Sequence, residues 1–378
     1  MTALMQELES KALGLGVPLN AHLDVTYRCN ERCTHCYLDH DDHGEMTLAE
    51  IKNLLDQLAD AGVLFLTLSG GEILMRMDFF DILKYARQRQ FCVRLKTNGF
   101  MIREKEADAL RNLGVQEVRI SIYSHRAEIH DGITKLPGSL KRSLAAIRLL
   151  KSRGVNVMIG NVLMVQNVSD YAGVKALAKD LGVEVTIDPT ITPRMDGDRS
   201  LLKLGIRDAQ LADVFRDSEL VGDVDEFCAL PGTVDDSALD MVPCSAGHTY
   251  CYISPYGDVY PCVQFPLPCG NVRKDTFLNI WRNSTQMNEV RSIRARDLPT
   301  CSACAHVGTC TRCPGLAYME GNMRGPSSLD CEKSFARTRI PSANMISKAQ
   351  LSGGHDRMGN TLLPGQSFSS LIQITIHQ

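Results

Sequence analysis

The stretch Cys29-Asn-Glu-Arg-Cys33-Thr-His-Cys36 contains three thiols within eight residues, separated by three and then by two other residues. Four thiolates complete the protein ligation of an iron–sulfur cluster. A set of three therefore leaves one metal position without a protein ligand, and an open metal position is where chemistry takes place. The alternative is a zinc site whose fourth ligand lies elsewhere, but zinc loops usually space their ligands in matched pairs. The stretch thus predicts a reactive iron–sulfur site.

Predicted strands and helices alternate around this stretch. The residues His22-Leu-Asp-Val-Thr26 alternate in polarity as a strand does, and Thr47-Leu-Ala-Glu50 is a capping box that opens a helix. The predicted strands are 22–26, 63–68, 91–96, 117–122, 155–164 and 183–188. The predicted helices are 47–62, 79–89, 104–113, 140–153 and 169–181. This order predicts an α/β fold with a partial (β/α)6 barrel, whose active residues gather at the carboxyl ends of the strands.

The three cysteines, with His35 before the third and Tyr37 after it, resemble the cluster motif of the radical S-adenosylmethionine (SAM) superfamily. In that family Cys-x3-Cys-x2-Cys lies in the loop after the first barrel strand. The resemblance implies that Cys29, Cys33 and Cys36 hold a 4Fe–4S cluster whose remaining iron chelates the amino and carboxylate groups of SAM. It also implies that an electron from the cluster cleaves the sulfonium and yields a 5′-deoxyadenosyl radical.

The same resemblance extends to the ends of the later strands. Ser69-Gly-Gly-Glu72 resembles the Gly-Gly-Glu motif that holds the SAM ammonium, with Ile73 in place of the usual proline. We expect the glycines to let a ligand approach the backbone and the carboxylate to pair with the ammonium. The implied SAM-binding residues are Gly70, Gly71, Glu72, Asn98, Ser121 and Tyr37, with Asn161 as a further candidate. The sequence assigns no catalytic side chain.

Nine of the fourteen cysteines lie between Cys244 and Cys331. Their order, Cys244-x12-Gly257-x4-Cys262 followed by Cys301-x2-Cys304-x5-Cys310-x2-Cys313-x17-Cys331, resembles the SPASM extension of radical SAM enzymes. One gap departs from that pattern, since two residues rather than three separate Cys310 from Cys313. The resemblance implies one auxiliary 4Fe–4S cluster on Cys244, Cys251, Cys262 and Cys313. It implies a second on Cys301, Cys304, Cys310 and Cys331, and thus three clusters in all. Cys269 is an alternative to Cys251, and a pair of zinc knuckles is the alternative to both clusters.

Composition excludes several other classes of protein. The 378 residues carry a net charge of −3, which gives no electrostatic case for binding nucleic acid or an anionic membrane. No apolar run approaches the roughly 18 residues of a membrane span, and the acidic N-terminus is not a signal peptide. Fourteen cysteines without an export signal favour metal binding in a reducing cytoplasm. The predicted segments are an N-terminal helix (1–20), the barrel (21–190), a linker with short helices (191–240), the auxiliary-cluster domain (241–338) and a mostly disordered tail (339–378).

The predicted function is that of a radical SAM peptide maturase. Thr311-Arg-Cys-Pro-Gly-Leu-Ala317 and Gly325-Pro-Ser327 resemble the peptide-modifying subgroup of the pyrroloquinoline-quinone cyclase and mycofactocin maturase type. The implied substrate is a precursor peptide, and the auxiliary clusters would take up an electron during its oxidation. About twenty residues precede the first strand, so we expect a separate leader-peptide recognition protein, and a flavodoxin or ferredoxin as electron donor.

Two alternatives stay open at this point. Pro243-Cys-Ser-Ala-Gly247 and Gly270-Asn-Val272 are shared with haem-pathway members of the family, which makes a tetrapyrrole the second candidate substrate. A non-catalytic metal-binding scaffold is the candidate from another class. A sulfatase-maturing role is disfavoured because Val263-Gln264 follows Cys262, where those enzymes carry an aspartate.

Overall fold

The structure is a computed structural model that describes residues 3–230, 239–240, 242–307 and 309–351. It contains two compact units. In the described part of the chain, the first comprises the residues up to Gly205 together with Ser245–Val290, and the second comprises the residues from Ile206 to Cys244 and from Arg291 to Leu351. The C-terminal residues 352–378, predicted to be mostly disordered, lie outside the described residues.

Six parallel strands form the main part of the sheet in the first unit. They are β1 (Asn20–Thr26), β2 (Phe65–Gly70), β3 (Cys92–Thr97), β4 (Glu117–Ser121), β5 (Val157–Val162) and β6 (Glu184–Asp188). Each strand pairs in parallel with the next one along the chain. The predicted α/β class and the six-stranded partial barrel are therefore confirmed.

Helices connect these strands. They are α1 (Ala3–Leu15), α2 (Leu48–Asp60), α3 (Phe79–Gln88), α4 (Glu104–Leu113), α5 (Ala127–Thr134), α6 (Ser139–Ser152) and α7 (Tyr171–Leu181), followed in the second unit by α8 (Asp208–Val214), α9 (Ser218–Val221) and α10 (Val224–Cys228). Helix α2 begins at the predicted capping box, in which the Thr47 hydroxyl accepts from the Glu50 N–H and the Glu50 carboxylate accepts from the Thr47 N–H. Helix α5 was not predicted, because its buried residues His130, Ile133 and Thr134 include only one aliphatic side chain.

A hairpin between Cys244 and Cys262 extends the same sheet. Its strands are β7 (Tyr250–Ile253) and β8 (Asp258–Tyr260), and β8 pairs with the short strand β9 (Gly270–Asn271). Strand β7 pairs in parallel with β1, so the sheet has nine strands in the order β6-β5-β4-β3-β2-β1-β7-β8-β9. This differs from the expected boundary at residue 241, because the hairpin belongs to the first unit. Helices α11 (Phe277–Asn283) and α12 (Thr285–Ser292) follow it.

The second unit is helical in its described part. It contains α8 to α10 and also α13 (Pro299–Ser302), α14 (Pro314–Met319), α15 (Ser328–Thr338) and α16 (Ala343–Leu351). Helix α15 packs against α8. Helix α16 occupies residues that the sequence analysis assigned to a mostly disordered tail. Among the described residues, no helix has both the length and the apolar composition needed to cross a bilayer.

Candidate active site

The three cysteines of the first motif lie in the loop that follows β1. Cys29, Cys33 and Cys36 are half-buried, and none forms a disulfide. Burial raises the pKa of the Cys29 thiol to about 12, and it also raises the pKa values of Cys33 and Cys36. The charge of Cys36 contributes to this rise for both Cys29 and Cys33, so the thiols of the loop influence one another electrostatically. A bound metal would reverse the effect, because a coordinating thiol loses its proton outright.

The unpredicted helix α5 holds this loop in place. The backbone N–H of Arg32 donates to the Thr134 carbonyl at 3.0 Å, and that of Thr34 donates to the Ile133 carbonyl at 2.9 Å. Both acceptors lie in the last turn of α5, where helix carbonyls have no partner within the helix. The cysteine loop is therefore fixed from two sides, by β1 before it and by α5.

Three buried polar atoms in the cysteine loop have no hydrogen-bond partner. They are Asn30 Nδ2, Glu31 Oε1 and His35 Nδ1. Burial lowers the pKa of His35 to about 4, so its ring is neutral. Unpaired buried polar atoms are costly and rare in folded proteins. Their position beside three thiols fits an iron–sulfur cluster that carries a polar ligand.

The glycines at the end of β2 allow another part of the protein's own backbone to approach closely. A Cβ atom at Gly70 would lie 2.1 Å from the carbonyl oxygen of Thr26, and one at Gly71 would lie 2.4 Å from that of Arg28. Gly70 also has a φ of +133°, which favours glycine. The Gly-Gly-Glu motif predicted that these glycines make room for a ligand. In the structure they let β2 close onto the start of the cysteine loop.

The Glu72 carboxylate is buried, and its oxygens accept hydrogen bonds from three donors within the protein. It accepts hydrogen bonds from the Thr97 hydroxyl at 2.8 and 2.7 Å, from the Asn98 N–H at 2.9 Å and from the Leu74 N–H at 3.1 Å. Burial raises the pKa of this carboxyl, against the effect of these donors. The expected pairing with an ammonium is thus not needed to explain Glu72. Its side chain joins the ends of β2 and β3.

We expect Glu72→Ala to lower the free energy of unfolding of the cluster-free protein by about 3 kcal/mol, because three buried donors would each lose their acceptor. Urea unfolding measured anaerobically checks this. The matched control is Glu128→Ala, whose side chain is 69% exposed and should change stability by no more than about 0.5 kcal/mol. If Glu72 served only an ammonium, the stability of the cluster-free protein would be unaffected.

The other implied SAM-binding residues occupy separate positions. Asn98 joins the cysteine loop, since its Nδ2 donates to Asn30 Oδ1 at 2.9 Å and lies 3.9 Å from Cys29 Sγ. Tyr37 directs its hydroxyl at Asp24, at 3.5 Å. The further candidate Asn161 donates to the Ile122 carbonyl and leaves its Oδ1 unpaired. Ser121 ends β4 and is half-buried.

A polar network that the sequence analysis did not identify lies on one face of the sheet. Asp24 accepts from the Tyr252 hydroxyl at 2.9 Å and lies 3.0 Å from His22 Nε2. The Tyr252 hydroxyl is also 2.7 Å from that of Tyr27, and Lys96 is exposed on its own strand. The missed signal was the polar half of the alternation in β1. Parallel strands covered on both faces are usually apolar throughout, whereas here His22 and Asp24 are buried and are paired with each other and with tyrosines.

In the second unit, four thiols line a single cavity of about 80 Å³. They are Cys301, Cys304, Cys310 and Cys331, the set implied for the second auxiliary cluster, and Arg312 and His306 line the same cavity. Burial raises the pKa of Cys301 to about 11 and that of Cys310 to about 12. The four thiols line this cavity with no carboxylate among the lining residues, and four thiolates are the full protein ligand set of a 4Fe–4S cluster.

The set implied for the first auxiliary cluster is divided between the units. Cys251 and Cys262 belong to the first unit, and Cys244 and Cys313 belong to the second. Cys251 and its alternative Cys269 are both buried. In the described part of the chain, no group of three or more His, Cys, Asp or Glu side chains is preformed for a single metal ion.

Comparison with known protein families agrees with this geometry. The radical SAM superfamily matches residues 23–181, which span the parallel strands β1 to β5 and the cysteine loop. An iron–sulfur cluster-binding domain, SPASM, matches residues 244–305. The first match includes the three cysteines of the first motif, and the second includes six of the nine cysteines between Cys244 and Cys331.

Individual relatives extend the likeness over most of the chain. Mycofactocin maturase MftC of Mycobacterium tuberculosis is 30% identical over 315 residues, which are 80% of this chain and 80% of that protein. AdoMet-dependent heme synthase of Methanosarcina barkeri is 28% identical over 319 residues, covering 78% and 90% of the two chains. The crystal structure of Streptococcus suis SuiB bound to precursor peptide SuiA shares the fold, with a TM-score of 0.63 and 17% identity over 79% of this chain and 73% of that one.

Proposed function

Because the chain belongs to the radical SAM superfamily and carries a SPASM iron–sulfur cluster-binding domain, we propose that it oxidatively modifies a ribosomally made precursor peptide. The observation that carries the proposal is the presence in one chain of a three-thiol loop and a separate four-thiol cavity. A maturase at 30% identity and the shared fold with SuiB, which binds a precursor peptide, support a peptide substrate. The product would be a carbon–carbon or thioether cross-link, or another oxidation.

The three-thiol loop would supply the radical. Cys29, Cys33 and Cys36 would hold a 4Fe–4S cluster, and the cluster with SAM supplies, when bound, the 5′-deoxyadenosyl radical that removes a hydrogen atom from the substrate. The chain's own residues position this site. Glu72 and Asn98 tie the ends of β2 and β3 to the loop, and α5 fixes its outer part.

The four-thiol cavity has a different part in the proposal. Loss of one hydrogen atom leaves a substrate radical, and a cross-link requires a further electron and a proton to leave. Cys301, Cys304, Cys310 and Cys331 would hold a cluster with no open position, which is the ligation of an electron carrier. Cys244, Cys251, Cys262 and Cys313 would hold another. A leader-peptide recognition protein and a flavodoxin or ferredoxin would complete the system.

Iron counting tests the cofactor part of this proposal. Anaerobic reconstitution should give about twelve irons per chain, four for each of three clusters. Replacing Cys301, Cys304, Cys310 and Cys331 together by alanine should reduce this number to about eight. Zinc without iron would support the metal-binding scaffold and contradict the proposal.

The substrate is tested separately. The enzyme is incubated with SAM, dithionite and a short peptide encoded beside this gene. Mass spectrometry should then show that the peptide has lost hydrogen atoms, and 5′-deoxyadenosine should be released. The recognition protein, if encoded nearby, is added in a parallel reaction. A tetrapyrrole carboxylate is the comparison substrate, because a heme synthase is among the relatives. Turnover of the tetrapyrrole and not of the peptide would overturn the peptide proposal while leaving the radical chemistry intact.

A further inference from the structure

Two arginines of the second unit are buried without a counter-charge. Arg312 is 5% exposed and Arg337 is 6% exposed. No carboxylate forms an ion pair with either guanidinium in the part of the unit that the structure describes. Removing an arginine charge from water costs several kcal/mol, and a buried cation is normally paired for that reason. The two side chains therefore indicate an anion that binds between them and the surrounding residues.

The guanidinium of Arg312 makes hydrogen bonds along one edge and none from its Nη1 atom. Its Nε and Nη2 donate to the Gly325 carbonyl at 3.0 and 2.6 Å, and Nη2 also donates to the Met323 carbonyl. Its Nη1 is buried and has no partner. Arg312 lines the four-thiol cavity, where its charge opposes the effect of burial on the pKa of Cys301.

Arg337 has more unpaired nitrogens than Arg312. Its Nε and Nη2 are buried and have no partner, and its guanidinium carbon lies 5.5 Å from the centre of the Phe227 ring. Burial lowers the pKa of Arg337, while the neighbouring thiols of Cys310 and Cys228 oppose that effect. Arg337 lies in α15 three residues after Ser334, on the same helix face, and Ser334 lines the four-thiol cavity.

Other ionisable groups nearby are already committed or neutral. Asp330 accepts from the Cys313 N–H at 2.8 Å and from Lys333 at 3.3 Å. His306 is neutral, because burial and then Arg337 lower its pKa, and its Nε2 donates to the Ile340 carbonyl at 2.9 Å. The four thiols that line the cavity supply negative charge when they bind a metal cluster, because a coordinating thiol is deprotonated.

We propose that Arg312 and Arg337 are the counter-charges of an iron–sulfur cluster held by Cys301, Cys304, Cys310 and Cys331, and that they raise its reduction potential. This inference rests on the proposed function. Reduction adds one negative charge to an already anionic group, and two cations in a low-dielectric interior stabilise the reduced state more than the oxidised one. Charge and hydrogen bonds to the sulfurs are known determinants of cluster potential.

A redox titration followed by electron paramagnetic resonance tests this in the full chain. Cys29→Ala, Cys33→Ala and Cys36→Ala are combined first, so that only the auxiliary clusters contribute to the signal. Arg337→Met and Arg312→Met should each shift the reduction equilibrium at least tenfold toward the oxidised cluster, about 59 mV for one electron. Arg337→Lys, which keeps the charge, should shift it less. The matched control is Arg339→Met, which removes a surface charge that is 47% exposed and should leave the potential unchanged.

Unfolding of the cluster-free protein provides a second readout. An unpaired buried cation destabilises the cluster-free state, so Arg337→Met should leave its urea midpoint unchanged or higher while iron is lost faster to a chelator. A lower midpoint in the cluster-free protein, with an unchanged potential in the loaded one, would mean that Arg337 only packs on Phe227 and would overturn the inference. Iron content that does not change when the four cysteines are replaced would instead refute the cluster assignment itself.

Discussion

Replacing Cys33 by alanine is expected to reduce the release of 5′-deoxyadenosine from SAM by more than about a hundredfold, since loss of even an outer partner of a metal ligand costs 10–100-fold. Cys33 is the middle thiol of the loop, four residues after Cys29 and three before Cys36. Two remaining protein ligands would hold the cluster poorly. The measurement is anaerobic, with dithionite as reductant and chromatography of the nucleoside product.

The control for this variant is Cys92→Ala. Cys92 lies in β3 and belongs to none of the three predicted ligand sets. It should keep both the full iron content and the release of 5′-deoxyadenosine, whereas Cys33→Ala should lose about four irons per chain. Normal nucleoside release by Cys33→Ala would show that the loop does not hold the reactive cluster.

Gly70→Ala is expected to have the largest effect on folding. The new methyl group would lie 2.1 Å from the Thr26 carbonyl oxygen, which is backbone and cannot rotate away. The residue would also have to keep a φ of +133°, which L-residues rarely adopt. A loss of about 4 kcal/mol or more is the size expected for such a combined clash and strain. Urea unfolding and the yield of folded protein measure it.

Gly132→Ala is the matched control. Gly132 lies in α5, and a Cβ atom there would meet no other atom within 4 Å. Alanine should stabilise this helix by about 0.5–1 kcal/mol relative to glycine. Equal stability of the two variants would mean that β2 does not approach the cysteine loop as closely as the structure shows.

Local patterns in the sequence were sufficient for most of the parallel sheet. The capping box at Thr47 and the apolar run of the predicted strand 63–68 involve only neighbouring residues. Helix α2 begins where it was expected, and the strand forms two residues later than predicted, at Phe65–Gly70. Helix α5 was missed because a loop-supporting helix needs few apolar side chains. The pairing of β7 with β1 was missed because Asn20 and Tyr250 are far apart in the sequence, and no local period encodes their contact.

The residues of the site also fall into those that local sequence predicts and those that only the folded chain reveals. Cysteine spacing is a local property, so the thiols could be named from the sequence. The role of Glu72 could not, because it depends on donors from another strand, Thr97 and Asn98. The unpaired nitrogens of Arg312 and Arg337 were equally inaccessible, since only the folded chain shows that water is excluded from them.

The contact of β7 with β1 limits how this protein can be dissected. A fragment ending near residue 190 would contain all six barrel strands, yet Asn20 to Leu23 would lose their hydrogen-bonding neighbours at Tyr250 to Ile253. The exposed amide and carbonyl groups would then be available to pair with another molecule, which is a common route to aggregation. Attempts to isolate the barrel alone should therefore retain residues 245–271.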